Sequence, residues 1–356
     1  MRNNKNGSFP IYGGNGISGY SDEYNIDKPT IVIGRVGFYC GSIHYVKSKA
    51  WVTDNAFITS IYGNVYDIDF LYYLLTYCNL RQYSNSTAQP VISGKTIYPV
   101  HVPVPPIKEQ RKIVEKIEFW LSCISQLEFS QSKVKSTIKQ AKSKILDLAI
   151  HGKLVQQDPN DEPASELLKR INPKAEITCD TPQYGKLPKG WCLIQGKYLY
   201  KPMKSTKPKG SFFNYIDIDS IDNAKQSIDS VKVVKTENAP SRASRYTQKG
   251  DIVFSMVRPY LKNIAIVPDN DCIASTGFYV CSPSNVGISE YCYYVMISDY
   301  TVSGLNQFMK GDNSPSINKS DIDNWLFPLP PLTEQHRIVA KIEELFALLD
   351  KIEASL

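Results

Sequence analysis

Residues 103–128 read PVPPIKEQRKIVEKIEFWLSCISQLE, and residues 328–353 read PLPPLTEQHRIVAKIEELFALLDKIE. Eleven of the 26 paired positions are identical, among them the prolines, the Glu-Gln pair and the whole Ile-Val-x-Lys-Ile-Glu string. Composition alone does not produce so long and ordered a string twice, so the chain contains an internal duplication.

The duplication extends well upstream of the prolines. At a constant offset of 221 residues, the matched positions are Ile31-Val32 with Ile252-Val253, Ile43 with Ile264, Val46 with Val267, Phe57 with Phe278, and Tyr72-Tyr73 with Tyr293-Tyr294. At an offset of 225, they are Pro90 with Pro315, Ile92 with Ile317, and Ile97 with Ile322. One loop insertion explains the change of offset. We expect two copies of one unit of roughly 150 residues, each a globular part followed by a helix.

The composition fits an ordinary soluble protein. The chain has 356 residues, of which 42% are apolar, and this length predicts two or three domains. No apolar run reaches membrane-spanning length and the start lacks a signal-peptide pattern, so we expect a cytoplasmic protein that does not enter a membrane. The absence of any Cys-x-x-Cys pair favours reduced, mostly buried thiols over a zinc or redox motif. The cysteines are Cys40, Cys78, Cys123, Cys179, Cys192, Cys272, Cys281 and Cys292.

The globular part of the first copy has the pattern of a strand-rich fold. Residues 30–33, 42–46 and 57–61 are β-branched and aromatic with glycines between them, which predicts strands. Residues 67–75 carry the tyrosine pair and predict a short helix or a buried run.

Two glycine-containing stretches resemble phosphate-binding loops only superficially. Residues 13–19 lack the flanking strand and helix that such a loop needs, so tight turns between short strands are favoured in residues 1–28. Residues 93–96 read Ser-Gly-Lys-Thr, but position 89 is Gln where a Walker motif requires Gly. A nucleotide site is therefore not expected.

From residue 107 the apolar period becomes helical, with spacings of 4, 3, 4, 3 that predict an a/d seam of five heptads. In the first copy the seam is Ile113, Ile117, Trp120, Ile124, Leu127, Gln131, Val134, Ile138, Ala141, Ile145 and Leu148. In the second copy it is Ile338, Ile342, Leu345, Leu349, Ile352 and Leu356. A narrow apolar seam needs a partner helix, and the other copy supplies one. We expect the two helices to pair antiparallel about a pseudo-twofold axis; the alternative is a coiled coil that only dimerises the chain.

The pattern divides the chain into five parts. These are a first globular part at 1–106, a central helix at 107–153, a linker with a short helix at 154–186, a second globular part at 187–331 and a C-terminal helix at 332–356.

Basic, amide and aromatic residues on irregular segments are the candidates for nucleic-acid contact, because lysines can follow phosphates while arginine and asparagine can read bases. In the second copy they are Lys201, Lys204, Lys207, Lys209, Arg242, Arg245, Tyr246, Arg258, Tyr260, Lys262, Asn263, Lys310 and Asn313. In the first copy they are Asn15, Arg35 and Lys95. The net charge of +6 is spread along the chain, so charge alone favours an ordinary solvated surface.

Four stretches together resemble a known family, the DNA specificity subunit (HsdS) of Type I restriction-modification enzymes. They are the repeated P-x-P-P-x-x-E-Q-x-x-I-V-x-K-I-E, ILDLAIHGKLVQQDPNDEPASELL at 145–168, LPKGW at 187–191, and VIGRVGFYCGSIHYVKSKAWVTDNAF at 32–57. The resemblance covers nearly the whole chain.

The resemblance implies an α+β fold with an internal pseudo-twofold repeat. Two target recognition domains of mixed, strand-rich α/β character are joined by long antiparallel coiled-coil helices, and each domain reads half of a bipartite site on double-stranded DNA. It also implies partners: two modification (methyltransferase) subunits that bring S-adenosylmethionine, and restriction subunits that bring ATP- and Mg-dependent translocation and cleavage. The chain itself is then expected to bind no cofactor and to be no enzyme.

The sequence departs from the family in two places. The first recognition domain lacks the LPKGW-like opening and about 35 residues, since 63 residues separate Leu187 from Gly250 but only 28 precede Pro29. The second helix carries roughly half the seam of the first. A truncated gene, a fragment or a recombined gene would give this pattern, and an exposed sheet edge and an unpaired stretch of the first helix near 131–148 should follow.

Catalytic motifs are missing from the sequence. We find no Asn/Asp-Pro-Pro-aromatic pocket of an adenine methyltransferase, no carboxylate cluster of a nuclease and no obvious metal site among four scattered histidines. Two alternatives to DNA reading remain open: an assembly scaffold whose shortened domain no longer reads DNA, and an unrecognised methyltransferase.

Overall fold

The computed structural model describes residues 7–85, 89–178, 180–181 and 184–356. The chain forms two compact units, Met1–Ser130 (unit 1) and Gln131–Leu356 (unit 2). The predictions for residues 1–6 and for Cys179 lie outside the described residues. The five-part division stays a prediction, because the boundary between the units falls inside the long helix.

The described part of unit 1 contains strands followed by helices. The strands are β1 (Phe9–Gly13), β2 (Gly16–Ser21), β3 (Thr30–Gly34), β4 (Ile43–Val46), β5 (Trp51–Val52) and β6 (Ala56–Ile58). The helices are α1 (Ile68–Tyr77), α2 (Gly94–Ile97) and α3 (Ile107–Ile150), with a 3-10 turn at Leu80–Tyr83. Helix α3 continues into unit 2.

Strand β3 is the centre of unit 1. It lies between β4 and β6 in one sheet, while β1 lies between β2 and β5 in another. Successive side chains of a strand point to opposite faces, so Val32 packs with Val46 and Val52 while Ile31 packs against α1. The strands predicted at 30–33, 42–46 and 57–61 are confirmed as β3, β4 and β6, with shifted ends.

The turns predicted in residues 1–28 are confirmed as the β1–β2 hairpin, in which Gly13 pairs with Gly16. Strand β2 is an edge of its sheet with exposed Ile17 and Tyr20, as β14 is in unit 2, and the exposed edge expected from the shortened first domain stays a prediction. Helix α1, predicted at 67–75, begins after Asp67, whose carboxylate accepts hydrogen bonds from the first turn of the helix.

Unit 2 contains the end of α3, further helices and three main sheets. The helices are α4 (Ala164–Ile171), α5 (Gly196–Leu199), α6 (Ser289–Ile297), α7 (Asp299–Asn306), α8 (Lys319–Asn324) and α9 (Leu332–Ala354). The strands up to residue 228 are β7 (Ile177–Thr178), β8 (Asp180–Thr181), β9 (Gly185–Lys186), β10 (Cys192–Gln195), β11 (Phe212–Ile216), β12 (Ile221–Asp222) and β13 (Ser227–Ile228). The later strands are β14 (Lys232–Lys235), β15 (Ala243–Tyr246), β16 (Ile252–Ser255), β17 (Ile264–Ile266), β18 (Cys272–Ser275), β19 (Phe278–Cys281) and β20 (Leu326–Leu329). Further 3-10 turns lie at Ile218–Ser220, Thr236–Asn238 and Pro259–Leu261.

The main sheets of unit 2 have the strand orders β14-β11-β18-β15, β17-β16-β19 and β20-β10-β7. Strand β16 is buried along its whole length, and Phe254 points into a core that also contains Tyr279 and Tyr291. The aromatic and β-branched content of these short strands suits surfaces that are buried on both faces.

The duplication is visible in the strand register. Strands β3 and β4 place Ile31 opposite Tyr45, and strands β16 and β17 place Ile252 opposite Ile266, which is the same pairing at an offset of 221. Helices α1 and α6 also begin at matching residues, Ile68 and Ser289. The two units therefore share the fold of the repeated part.

One predicted match is wrong by a single residue. Gly34 lies opposite Ala56, and its counterpart Ser255 lies opposite Phe278. Phe57 therefore corresponds to Tyr279 rather than to Phe278. The segment before β6 is one residue shorter than the segment before β19, and the hydrogen-bond ladder decides the match because a slip by one residue would turn every side chain to the other face.

A buried glutamine fixes the start of α3 to unit 1. The side-chain Nε2 of Gln110 donates to the carbonyl oxygens of Val65 and Pro105, both at 2.8 Å. Its Oε1 accepts from the backbone N–H of Asp67 at 2.8 Å. The amide thus satisfies three backbone groups beside the beginning of α1.

Gln335 makes the same three bonds in unit 2. Its Nε2 donates to the carbonyl oxygens of Val286 and Pro330, at 2.8 and 3.1 Å. Its Oε1 accepts from the backbone N–H of Ile288 at 3.0 Å. Every partner is the repeat equivalent of a partner of Gln110, so one junction, present in both units, explains the repeated glutamine.

The end of α3 pairs antiparallel with α9 inside unit 2. Gln131 bonds to Leu356, and Lys142 forms an ion pair with Asp350 while its ammonium lies 5.6 Å from the ring centre of Phe346. The first turns of α9 share a core with the last turns of α3. The antiparallel prediction is confirmed for this part of the helix, but the expectation of an unpaired stretch near 131–148 is wrong, because that stretch is the one α9 covers.

Glu334, beside the buried glutamine, is itself buried in unit 2. Its carboxylate accepts from the indole N–H of Trp191 at 3.0 Å and from the side-chain amide of Gln157 at 3.2 Å. Burial raises the pKa of Glu334 above its ordinary value, and these hydrogen bonds oppose the shift. Trp191 belongs to the LPKGW segment, which therefore docks onto the start of α9.

We predict that Gln335→Ala lowers the free energy of unfolding by about 3 kcal/mol, because three buried backbone groups lose their partner. Denaturant unfolding of the variant and the parent measures the change. His336→Ala, at the exposed next position, is the control and should leave stability unchanged. Equal stability of Gln335→Ala and the parent would show that the junction does not hold the helix to the unit.

We predict that Glu334→Gln stabilises the protein at neutral pH. The folded state holds the Glu334 proton more tightly than the unfolded state does. The protonated group therefore contributes fully to the free energy of unfolding below its ordinary pKa of 4.5. This contribution is lost as the pH rises through the raised pKa of the folded state. The difference between variant and parent should therefore shrink as the pH falls to 4.5. Exposed Glu343→Gln serves as the control, and a pH-independent difference would contradict this account.

Candidate nucleic-acid interface

The loop between β16 and β17 has an unusual backbone. Arg258 and Lys262 both adopt the left-handed region, with φ of +48° and +54°, on either side of the 3-10 turn. Non-glycine residues pay roughly 1–2 kcal/mol in this region, and such strain gathers at functional sites. The turn leaves Arg258, Tyr260 and Leu261 exposed.

Unit 1 has the same loop between β3 and β4. Gly37 and Gly41, the repeat equivalents of Arg258 and Lys262, have φ of +96° and +86°. Phe38 and Tyr39 are exposed on it, and the guanidinium of Arg81 lies 4.4 Å from the ring centre of Phe38. Phe38 and Tyr39 are not among the residues predicted from the sequence, although the offset of 221 places Tyr39 on Tyr260.

In unit 2 this loop contacts a second loop that carries predicted residues. The backbone N–H of Arg258 donates to the carbonyl of Pro315 at 2.8 Å, and its guanidinium donates to the carbonyl of Asn313 at 2.9 Å. Lys310 closes the second loop through two backbone bonds with Ser316. The structure thus brings Arg258 next to the loop of Lys310 and Asn313, which is about 50 residues away in the sequence.

A basic edge lies on the sheet that contains β15. The backbone N–H of Tyr246 donates to the carbonyl of Lys204 at 3.0 Å, and the N–H of Thr206 donates to the carbonyl of Ser244 at 2.9 Å. This pairing extends the sheet by one short segment beyond β15 and places exposed Lys204 at the edge, and exposed Lys207 and Lys209 follow in the segment that leads to β11. Arg245 is half-buried on β15, and its Nε is buried without a hydrogen-bond partner among the described residues.

Backbone bonds connect the basic edge to the β16–β17 loop. Thr276 donates to the carbonyl of Arg242, and Met256 donates to the carbonyl of Gly277 at 2.9 Å. Arg242 therefore lies near the start of the β16–β17 loop. Lys201 does not, because its N–H bonds to Ser282, at the other end of β19.

Two predicted residues of unit 2 point inward. The ammonium of Lys262 donates to Asp299 at 2.8 Å and to the carbonyl of Ile297 at 3.2 Å, and this contact holds the pKa of Asp299 below its ordinary value. Asn263 is buried, and its side-chain amide makes no hydrogen bond within the described residues. Lys262 thus anchors the loop, whereas the amide of Asn263 is available to a ligand.

The predicted residues of unit 1 are spread over its surface. Asn15 is exposed in the β1–β2 turn, and Arg35 is exposed just before the β3–β4 loop, with its guanidinium 5.4 Å from the ring centre of Phe57. Lys95 is exposed on α2. Asn15 and Arg35 lie beside the loop that carries Tyr39, whereas Lys95 belongs to a separate element, helix α2.

Helix α3 carries a second candidate surface, the apolar strip of Trp120, Leu121, Ile124 and Leu127. All four side chains are exposed, by 55%, 47%, 49% and 65%, and their spacing places them along one side of the helix. The predicted seam therefore has a buried part and an exposed part: Ile138, Ile338 and Ile342 are buried in unit 2, whereas the apolar strip is exposed. Among the other seam residues, Ile113, Ile117, Val134, Ala141, Ile145, Leu148, Leu345 and Leu349 are half-buried, and Gln131, Ile352 and Leu356 are exposed.

The part of the chain that the structure describes contains no cluster of histidine, cysteine and acidic side chains able to hold a metal ion. Within the same residues no helix is long and apolar enough to cross a membrane. Cys40, Cys78, Cys123, Cys272, Cys281 and Cys292 are free thiols, and Cys192, Cys272, Cys281 and Cys292 are buried in unit 2.

Comparison with known families finds one match that covers most of the chain. The family described as "Type I restriction modification DNA specificity domain" matches residues 2–141 and 194–356. The Type I restriction enzyme EcoprrI specificity subunit of Escherichia coli is 30% identical over 143 residues, which are 39% of this chain and 34% of that subunit. The EcoAI specificity subunit of Escherichia coli is 26% identical over 272 residues, which are 69% of this chain and 46% of that subunit. The chain thus matches about half or less of the length of these relatives.

Solved structures with the same description are also similar. The HsdS subunit from Thermoanaerobacter tengcongensis is 36% identical over 48% of this chain and 45% of that chain, with a TM-score of 0.45. The S subunit of a Type I restriction-modification system from M. genitalium is 16% identical over 99% of this chain and 86% of that chain, with a TM-score of 0.36.

Proposed function

Because the chain belongs to the family of Type I restriction-modification DNA specificity domains, we propose that it recognises a bipartite sequence on double-stranded DNA and catalyses no reaction itself. The observation that carries this proposal is the repetition of one exposed loop in two units. Tyr39 in unit 1 and Tyr260 in unit 2 occupy the same position of that loop. Each unit would read one half of the site.

We assign the two kinds of DNA contact to different parts of unit 2. Arg258 and Asn313 stand on the paired loops, where an arginine can bond bidentately to guanine and an asparagine to adenine. Lys204 stands on the sheet edge and Lys207 and Lys209 on the exposed segment that follows it, where flexible point charges suit a row of phosphates. Phosphate contacts would fix the position of unit 2 on the duplex, and the loops would specify the bases.

Helix α3 is proposed to set the spacing between the two half-sites. Its 44 residues form one continuous helix, in which each residue adds about 1.5 Å. A helix of fixed length makes half-site spacing a geometric property of the protein, as dimer geometry does in other DNA-binding proteins.

The apolar strip is proposed to bind a modification subunit. Four exposed large apolar side chains along one helix face are costly in water, and such a patch marks an interaction surface. In the complete assembly we expect two modification subunits, which bring S-adenosylmethionine, and restriction subunits, which bring ATP and Mg²⁺. Since its proposed target is DNA, we expect the assembly to act in the cytoplasm.

The spacing proposal predicts the effect of inserting one heptad of helix-forming residues after Ser130. Seven residues add about 10 Å of helix and return nearly to the same face, so the gap between the half-sites should widen by about three base pairs. The half-site sequences themselves should not change. Sequencing of methylated sites in a host that expresses the chain with its modification subunit measures both properties.

The same heptad inserted after Pro173, in an exposed loop of unit 2, is the matched control and should leave the gap unchanged. An unchanged gap after the helix insertion would refute the spacing role. If the parent complex bound DNA with no base preference while it still bound the modification subunit, the assembly-scaffold function would replace DNA recognition.

The docking proposal predicts that Leu127→Glu weakens binding of the modification subunit by about ten-fold or more, because a charge would have to be buried in an apolar contact. Thermal melting of the isolated chain should not change, since Leu127 is exposed. Gln126→Glu adds the same charge one residue away on a different face and should bind normally. Titration by calorimetry or interferometry compares the three chains, and normal binding of Leu127→Glu would contradict the assignment.

A further inference from the structure

A polar pocket of about 540 Å³ lies beside the β16–β17 loop of unit 2. Asp219 and Asn223, from the segment after β11, form one wall. Arg258 and Asn263 form the second wall, and Ser314 forms the third. The pocket thus joins three segments that are distant in the sequence, and its lining offers carboxylate, amide, guanidinium and hydroxyl groups.

Unit 1 contains a pocket of about 480 Å³ beside its own β3–β4 loop. Asn15, in the β1–β2 turn, belongs to one wall, and Val36 of the loop belongs to the second. Thr53, Asn55 and Gln89 complete the lining. Thr53 Oγ1 is buried without a hydrogen-bond partner among the described residues. An unpaired buried hydroxyl is unfavourable, and a ligand group at this position would satisfy it.

The two pockets occupy the same place in the repeated fold. Val36 and Val257 match at the offset of 221, and Gln89 and Ser314 match at the offset of 225. Equivalent backbone bonds join these walls, from Gly37 to Pro90 in unit 1 and from Arg258 to Pro315 in unit 2.

The third wall also corresponds, although its sequence does not. In unit 1 it follows β1, which pairs in parallel with β5; in unit 2 it follows β11, which pairs in parallel with β18. Strands β5 and β18 both come directly after the hairpins that contain the matched loops. The fold therefore builds the same pocket from unrelated residues.

The lining differs while the frame is the same. The polar side chains of the unit 1 pocket are uncharged amides and hydroxyls, whereas those of the unit 2 pocket include Asp219, Asp222 and Arg258. Amide, carboxylate and guanidinium groups are the ones that distinguish adenine, cytosine and guanine by their hydrogen-bonding edges. Two pockets with the same backbone arrangement and different polar side chains are suited to the recognition of two different half-site sequences.

We propose that each pocket is the base-reading site of its unit, with Asn15, Thr53 and Asn55 specifying bases in one half-site and Asn223, Arg258 and Asn263 specifying bases in the other. This inference rests on the proposed function. The exposed rings of Tyr39 and Tyr260 stand on the loops that border the pockets, where an aromatic face can pack against a base or a sugar. Unit 1, despite its shorter N-terminal segment, would thus remain a reader of DNA.

Asn55→Asp and Arg258→Gly test the two pockets separately in the complex of the full chain with its modification subunit. The first replaces an amide donor by a carboxylate of the same shape, and the second removes the guanidinium while relieving the left-handed backbone. Binding-site selection from a random duplex library measures the preference for each base. Asn55→Asp should lower or change the preference at a position of one half-site by about ten-fold, and Arg258→Gly should do so only in the other half-site.

Two variants serve as controls. Asp271→Gly relieves the same kind of backbone strain at an exposed position between β17 and β18, outside both pocket linings, so both half-sites should stay as in the parent. The double variant Lys204→Ala and Lys207→Ala should weaken binding at all sequences and flatten its salt dependence without altering any base preference. A melting temperature of Arg258→Gly close to that of the control Asp271→Gly shows that the fold is retained.

The outcomes separate this inference from the function on which it rests. If the parent complex selects a bipartite site and both pocket variants select the same site with the same preferences, the pockets do not read bases, and the proposed function stands. Loss of preference in the same half-site from both variants would also overturn the assignment of one pocket to each half. A parent complex without any base preference would overturn the proposed function and this inference with it.

Discussion

The buried side-chain amide of Gln110, and of Gln335 in the second unit, is the contact on which the repeated architecture depends. Each amide satisfies two carbonyl groups and one N–H group that the preceding loop leaves unpaired at the start of a helix. A buried amide with all its partners permits one geometry, since any other would leave donors and acceptors unpaired. The direction in which each helix leaves its own unit is therefore the same, and differences between the units arise elsewhere.

The residue beside each glutamine shows how the units diverge from this common junction. Glu109 is exposed in unit 1, whereas Glu334 is buried under Trp191 in unit 2. The difference follows from the LPKGW segment, whose strand β10 pairs with β20 and carries the indole to the carboxylate. Unit 2 thus encloses the start of its helix more fully, and it carries a charged group whose burial raises its pKa and opposes folding at neutral pH.

The sequence predicted the elements whose signal is local and repeated: the strands β3, β4 and β6, helix α1 and the long helix follow from periodicity and from the duplication. It did not predict which half of α3 is covered. Heptad spacing shows that a helix has an apolar side, but it does not show which helix covers that side. Helix α9 begins after β20, next to the last turns of α3, and therefore covers that end of α3. The one-residue error at Phe57 has a similar cause, because residue identity suggested one match and the β-ladder imposed another. The candidate site was predicted only in part, since its loops meet through contacts between distant residues such as Arg258 and Pro315.

The matched loops indicate how a duplicated unit can keep its backbone and change its chemistry. Gly37 and Gly41 adopt left-handed conformations without a steric penalty, so the loop of unit 1 needs no side-chain support at these positions. Arg258 and Lys262 adopt the same conformations at a cost, and each makes a contact that glycine cannot make: Arg258 with the carbonyl of Asn313, and Lys262 with Asp299. Lys262 holds the end of the loop, which leaves the exposed arginine on a supported backbone. The conformation thus belongs to the repeated fold, and the charge at the pocket of unit 2 belongs to that unit alone.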